Sequence, residues 1–255
     1  MASLVEVGPN EALLHREIRR KGTLVAALID PEDFTPKEAS KVAASVQEAG
    51  ASLILVGGST VANQKQLDDV VMTINKRITL PVILFPGNIT GVSRYADAIL
   101  FTSLLNSRNP YFIIGAQAIG AVQVSKYHLE AIPMGYLVIG QGSTTAFIAD
   151  VREIPHNRPS IAVMYSLAAQ YMGMRAIYLE AGSGSKNIVQ TSMIQAVRKH
   201  FSGLLIVGGG ITVPEIASQM AEAGADTLVV GNLLQSPTFI TDFHRIVRAV
   251  SKAKF

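Results

Sequence analysis

Glu180 closes an apolar run, Ile177-Tyr178-Leu179, and is followed by Ala181 and the turn Gly182-Ser183-Gly184. A carboxylate at a strand end, beside a glycine turn whose backbone N–H groups can converge on an anion, is placed to take a proton from a substrate held there. Tyr178, two residues back, points to the same side of an extended chain. The competing reading of Glu180 is a structural carboxylate paired with a nearby Lys or Arg. Two further glycine exits, Gly208-Gly209-Gly210 and Gly231-Asn232, follow apolar runs of their own. Any one of the three is explained by the demands of a tight turn, but together they describe a cup for a phosphate. Asp30 ends another apolar run, and Ser59 follows Gly57-Gly58. A hard carboxylate and a hydroxyl in one region suit Mg2+, which keeps several waters and needs few protein oxygens when a diphosphate completes its shell. Asp30-Pro31 equally suits a helix cap or turn. The five histidines, His15, His128, His156, His200 and His244, have no metal-ligand spacing.

These residues need a scaffold that brings strand ends together. Eight short apolar runs, rich in β-branched residues and mostly followed by helix-period segments, predict parallel strands at residues 24–29, 53–56, 82–85, 98–101, 136–139, 176–179, 204–207 and 227–230. Helices are expected at 36–49, 61–76, 110–126, 160–172, 189–200, 214–223 and 237–252. The stretch between the third and fourth strands, residues 87–97, is short and carries Asn88, Gly91 and Ser93, so a full helix is not expected there. EAGASLILVGG at 48–58 and EAGADTLVVGN at 222–232 repeat one helix-end, turn, strand and glycine exit. The expectation is a single α/β domain over residues 1–255, a modified (β/α)8 TIM barrel with its third helix shortened or replaced by irregular chain and an amphipathic helical extension at 1–22. An open doubly wound sheet is the alternative. In a barrel the residues just after each strand share one face, which is where Asp30, Ser59, Glu180 and the three glycine exits fall.

The 255 residues suffice for one such barrel, with 49% hydrophobic and 16% charged residues. A net charge of +3 without clustered basic runs argues against a nucleic-acid surface. With no cysteine there is no disulfide, thiolate zinc site or cysteine nucleophile, and a reducing cytoplasm fits. The start of the chain lacks a secretory signal, and no apolar run reads as a membrane span.

The motifs IDPED, VGGST, FPGNI, LLNSRNPYFIIGAQ, IPMGYLVI, YLEAGSG, VGGGI and VVGN, spread over the whole chain, resemble the geranylgeranylglyceryl phosphate synthase family. The resemblance implies a barrel that has lost its third helix. It also implies transfer of a geranylgeranyl group from its diphosphate to the 3-hydroxyl of sn-glycerol 1-phosphate, releasing pyrophosphate. Asp30 and Ser59 match the family's Mg2+ positions, and Glu180 matches the acid that activates the glycerol hydroxyl. Tyr178, Leu179, Glu180, Ala181, Gly182, Ser183 and Gly184, with Gly208, Gly209, Gly231 and Asn232, match its glycerol-phosphate contacts. Leu28 stands where bacterial-type members carry a phosphate-binding lysine. That departure and the AGSG loop point to the second major branch, whose members are often dimers or hexamers. Peripheral contact with a membrane is compatible with a lipid product. Candidates for the apolar groove are Tyr127, Ile132, Met134, Tyr136 and the helix around Tyr111 to Ile119. Two other readings stay open: another phosphate-binding barrel enzyme, such as a sugar-phosphate isomerase or synthase, and a non-catalytic prenyl-diphosphate carrier.

Overall fold

A computed structural model describes residues 7–58, 63–182 and 187–253. Eight parallel strands, β1 (Leu24–Ile29), β2 (Leu53–Val56), β3 (Val82–Leu84), β4 (Ala98–Leu104), β5 (Glu130–Val138), β6 (Ala176–Glu180), β7 (Leu204–Gly208) and β8 (Thr227–Val230), pair in chain order. Pairing of β8 with β1, Leu24 opposite Thr227, closes the barrel and removes the open-sheet alternative. Alternation along each strand divides the core in two. Leu24, Leu55, Ile83, Leu100, Met134 and Tyr178 pack inside the barrel. Ile54, Leu84, Ile177, Leu179 and Val207 face the surrounding helices.

The helices are α1 (Pro9–Lys21), α2 (Pro36–Glu48), α3 (Gln64–Asn75), α4 (Ala116–Tyr127), α5 (Thr144–Ile148), α6 (Pro159–Tyr171), α7 (Thr191–His200), α8 (Pro214–Glu222) and α9 (Phe239–Val250). Between β3 and β4 there is only one 3-10 turn, Ile89–Gly91, so the expected loss of a helix holds. Asn88 starts that turn by accepting the Ile89 N–H at 2.8 Å. Several elements differ from the sequence expectation: β4 runs on to Leu104, three residues past its expected end, and α5 was not expected. β5 begins six residues early, because Pro133 reads as a breaker yet still accepts the Arg175 N–H at 3.0 Å through its carbonyl. The helix expected from 110 begins as a π-helical turn, Tyr111–Gly115, before α4 takes over.

The helix α1 lies across the other end of the barrel, with Leu14 in the interior core. Glu130 caps it, accepting the Asn10 and Glu11 N–H groups at 2.7 and 2.8 Å. Glu11 is fully buried and pairs bidentately with Arg175, at 2.8 Å to both Nε and the terminal nitrogen. Removing one partner of a buried pair strands the other. Glu11→Ala is therefore expected to destabilise the fold by about 3 kcal/mol, towards the lower end of the range because Arg175 keeps some access to water. Thermal denaturation checks this, and turnover of the folded fraction at 25 °C should be unchanged because α1 is far from the strand exits.

Candidate active site

The carboxyl ends of the strands open into one cavity of about 230 Å³, more than a lone phosphate fills. Asp30, Gly58, Glu180, Gly231 and Asn232 line its polar end. The cavity then runs past Phe85, Phe101, Leu104 and Phe112 to Ala116, Gly120 and Val124 of α4. This apolar arm lies beside the segment where the third helix is missing.

Glu180 is the last residue of β6 and, with Tyr178, points inward; it is only 8% exposed. The Gly182 N–H donates to its Oε1 at 2.6 Å, and the hydroxyls of Tyr178 and Tyr136 interact with the carboxylate. Burial nevertheless prevails over these donors and raises its pKa above the ordinary carboxylate value. No Lys or Arg among the described residues forms a salt bridge with it, so the ion-pair reading finds no support there. A desolvated carboxylate without a countercharge is a stronger base than an exposed one.

Three rings support this group. Tyr136 stacks on Tyr178 with centroids 5.0 Å apart, and Phe85 lies 5.1 Å from Tyr178. Burial, followed by the charge of Glu180, raises the pKa of both phenols well above the ordinary tyrosine value, so they remain neutral donors. Tyr136 lines the cavity, whereas Tyr178 is 1% exposed and reaches the site from beneath Glu180. Leu179 faces the helical layer and Ala181 is buried with it, so these two can meet a ligand only through their main chain.

The glycines divide by what a side chain would strike. A Cβ on Gly208 would stand 1.9 Å from the Tyr178 hydroxyl oxygen. Gly209 has φ +87°, and its Cβ would stand 2.6 Å from Glu180 Oε1 and 2.9 Å from the backbone nitrogens of Ala181 and Gly182. The exit of β7 thus packs directly on the carboxylate. Gly231 has φ −116°, and its Cβ would meet nothing closer than Leu28 at 3.6 Å. Gly209→Ala is accordingly expected to weaken binding of a phosphate group at this exit about tenfold or more through displaced Glu180 and Gly182, while Gly231→Ala leaves the fold unstrained. Calorimetric titration of both variants with inorganic phosphate checks the ranking. Leu28 lines the cavity with an apolar side chain.

Asp30 is half-buried at the exit of β1. Its Oδ1 accepts the Glu32 N–H at 3.0 Å, and a Cβ on Gly58 would fall 1.9 Å from its Oδ2. Its pKa is raised, by burial first and then by the nearby Asp33 and Glu32 carboxylates, with the Glu32 N–H opposing. A desolvated carboxylate among other acids, aimed into a cavity that Asp33 also lines, fits a hard cation such as Mg2+. The described residues contain no cluster of three or more metal-ligating side chains. Ser59, Ser183 and Gly184 lie outside the described residues.

The groove differs from its sequence expectation. Phe112, Ala116 and Gln117 line it, but Ile114 and Ile119 point to solvent. Met134 and Ile132 fill the barrel interior, one and two pleats below Tyr136, and Tyr127 is covered by Arg94, 4.8 Å from its ring. Sequence reasoning placed Tyr136 only in the groove; its period-2 alignment with Ile132 and Met134 gave its face but not its neighbour Glu180. Gly120, Val124 and Thr145 were missed as lining residues.

Residues 16–254 match the PcrB family. The chain is 50% identical over 244 residues to the geranylgeranylglyceryl phosphate synthase of Cenarchaeum symbiosum, covering 96% of this chain and 99% of that one. It is 48% identical over 244 residues to the enzyme of the same name from Nitrosopumilus maritimus, at 96% and 98% coverage. Its fold matches the crystal structure of (S)-3-O-geranylgeranylglyceryl phosphate synthase from Thermoplasma acidophilum in complex with sn-glycerol 1-phosphate, with a TM-score of 0.90, 37% identity and coverage of 94% and 98%. The chain belongs to the PcrB family, together with these geranylgeranylglyceryl phosphate synthases.

Proposed function

We propose that this protein transfers a geranylgeranyl group from its diphosphate to the 3-hydroxyl of sn-glycerol 1-phosphate, forming geranylgeranylglyceryl phosphate and diphosphate. The observation that carries this reading is the meeting, at Glu180 and Tyr136, of a polar mouth and an apolar arm in one cavity. A sugar-phosphate isomerase would have no use for the arm.

Glu180 accepts the proton of the glycerol 3-hydroxyl as that oxygen bonds to the allylic carbon and the carbon–oxygen bond to diphosphate breaks. Tyr178, Tyr136 and the Gly182 N–H hold the carboxylate in place at the cavity wall. The backbone at Gly208, Gly209, Gly231 and Asn232, with 182–184, holds the phosphate, and the apolar arm excludes water from the chain. Asp30 and Ser59 would hold Mg2+, which when bound offsets the charge on the leaving diphosphate.

Incubation with labelled sn-glycerol 1-phosphate, geranylgeranyl diphosphate and Mg2+ should give an organic-extractable product and diphosphate. Binding of both compounds without turnover would instead indicate a carrier, and no binding of any prenyl diphosphate would return the phosphate-handling isomerases and synthases. The protein works as a homo-oligomer, a dimer or hexamer, in the cytoplasm. In support, Ile114, Ile119 and Val122 of the α4 region and Met164, Tyr171 and Met172 of the α6 region are exposed, and no described helix is long and apolar enough to cross a membrane.

A further inference from the structure

We propose that Gln117 is a positioning residue that sets the width of the apolar arm by pinning the π-helical turn Tyr111–Gly115 to β4. The proposal rests on the reading that this arm takes a prenyl chain. In the π-helical turn the Ala116 N–H reaches back to the Tyr111 carbonyl, five residues away, so the following carbonyls are drawn off the ordinary helical ladder. Side chains take two of them. The Gln117 amide nitrogen donates to Phe112 O at 3.1 Å and to Thr102 O of β4 at 2.5 Å. Ser103, also on β4, donates its hydroxyl to Ile113 O at 2.7 Å. Both amide protons of Gln117 are thereby used, one on each wall.

The other end of this amide gives the reason for its presence. Gln117 Oε1 is buried and has no hydrogen-bond partner among the described residues. An unmet buried acceptor is costly, and turning the amide over would aim its oxygen at two carbonyls, so the orientation is fixed. The residue is therefore held for its two protons on one uncharged nitrogen, which only Asn and Gln side chains supply, and Gln has the longer reach. Phe112 and Gln117 both line the arm, so its width there follows the position of the turn. Tyr111 ties the same turn to the opposite wall, donating its hydroxyl to Asn88 at 2.6 Å.

Gln117→Leu keeps the size of the side chain and removes both donors; Ser103→Ala removes the neighbouring bond and covers the case in which the leucine variant folds poorly. KM for geranylgeranyl diphosphate should rise about tenfold in the first and severalfold in the second, the worth of one net hydrogen bond or less. KM for sn-glycerol 1-phosphate and kcat should stay within about twofold, and amide hydrogen exchange at 112–117 should quicken. A merely structural role would move both KM values together, and that result, or unchanged exchange with an unchanged prenyl-diphosphate KM, overturns the proposal. Calorimetric titration with geranylgeranyl diphosphate separates the two readings. If the wild type binds this compound but transfers nothing, the transferase reading fails and a tenfold weaker binding by Gln117→Leu still supports the positioning role. If transfer is normal in both proteins and binding equal, the positioning role alone fails. A wild type that does not bind the compound overturns both.

Discussion

Replacing Glu180 by Gln is expected to lower turnover by about 10²- to 10⁴-fold, the range for loss of a general base, while both substrates still bind. The amide keeps the size of the side chain and can still accept the Gly182 N–H, but it cannot take the glycerol proton. A pH–rate profile adds a second signature. Burial raises the Glu180 pKa above its ordinary 4.5, so the wild-type rate should climb with pH through a value higher than that, and the residual rate of the variant should lack this limb. Stability supplies a third, with its sign fixed by the same shift. Above pH 4.5 the unfolded chain releases the Glu180 proton more readily than the folded one, so ionisation favours unfolding increasingly until the folded-state pKa is passed. Gln removes that penalty, and the variant should melt no lower than the wild type at neutral pH, with any advantage vanishing below about pH 4, where the carboxyl is protonated in both states. Near-normal turnover would end the base assignment. A variant that melts lower and loses both ligands would mean that Glu180 holds the barrel mouth together.

What could be read in advance followed from residues that act close to their own position in the chain. Glu180, Asp30 and the glycines at 208–209 and 231 sit at strand exits, and a strand exit is visible as an apolar run that stops. The missing third helix was legible because Asn88, Gly91 and Ser93 break any helical period. The remainder depends on neighbours distant in sequence. Tyr136 meets Glu180 only because β5 and β6 pair with Tyr136 opposite Tyr178, a register set by barrel closure. The five residues of α5 are too few for a period, and only Ser143, accepting the Ala146 N–H at 3.0 Å, marks their start. In residues 111–127 the apolar residues are too evenly spread to say which face is covered. The structure shows why: the outer face carries Ile114, Ile119 and Val122, and the inner face borders a cavity that calls for small residues rather than large ones. A π-helical turn has no composition of its own, so the boundary at Ala116 could not be drawn.

The small residues of that inner face lead to the second large effect, a change in the length of chain the protein accepts. Ala116, Gly120 and Val124 are spaced four apart along α4 and line the far arm of the cavity. Glycine in mid-helix costs about 1 kcal/mol relative to alanine, so α4 retains it against its own propensity. Packing of a neighbour is not the reason, because a Cβ built on Gly120 would meet nothing within 4 Å although the residue is buried. The space is cavity, open to whatever the apolar arm takes up. Gly120→Ala should therefore raise the melting temperature by a few degrees through helix propensity alone and leave turnover nearly intact. Gly120→Phe should project a ring across the arm. Forcing a long chain past it carries the cost of overpacking, about 1–3 kcal/mol, which is roughly a fivefold to hundredfold loss in kcat/KM for geranylgeranyl diphosphate. A ten-carbon geranyl diphosphate stops short of the ring and should lose little, so the preference between the two donors should invert or narrow by the same factor. Product analysis with mixed donors measures that ratio directly. If both donors lose equally, the phenylalanine has disturbed α4 as a whole. If neither changes, the chain leaves the mouth by another route, and the glycine needs a different explanation.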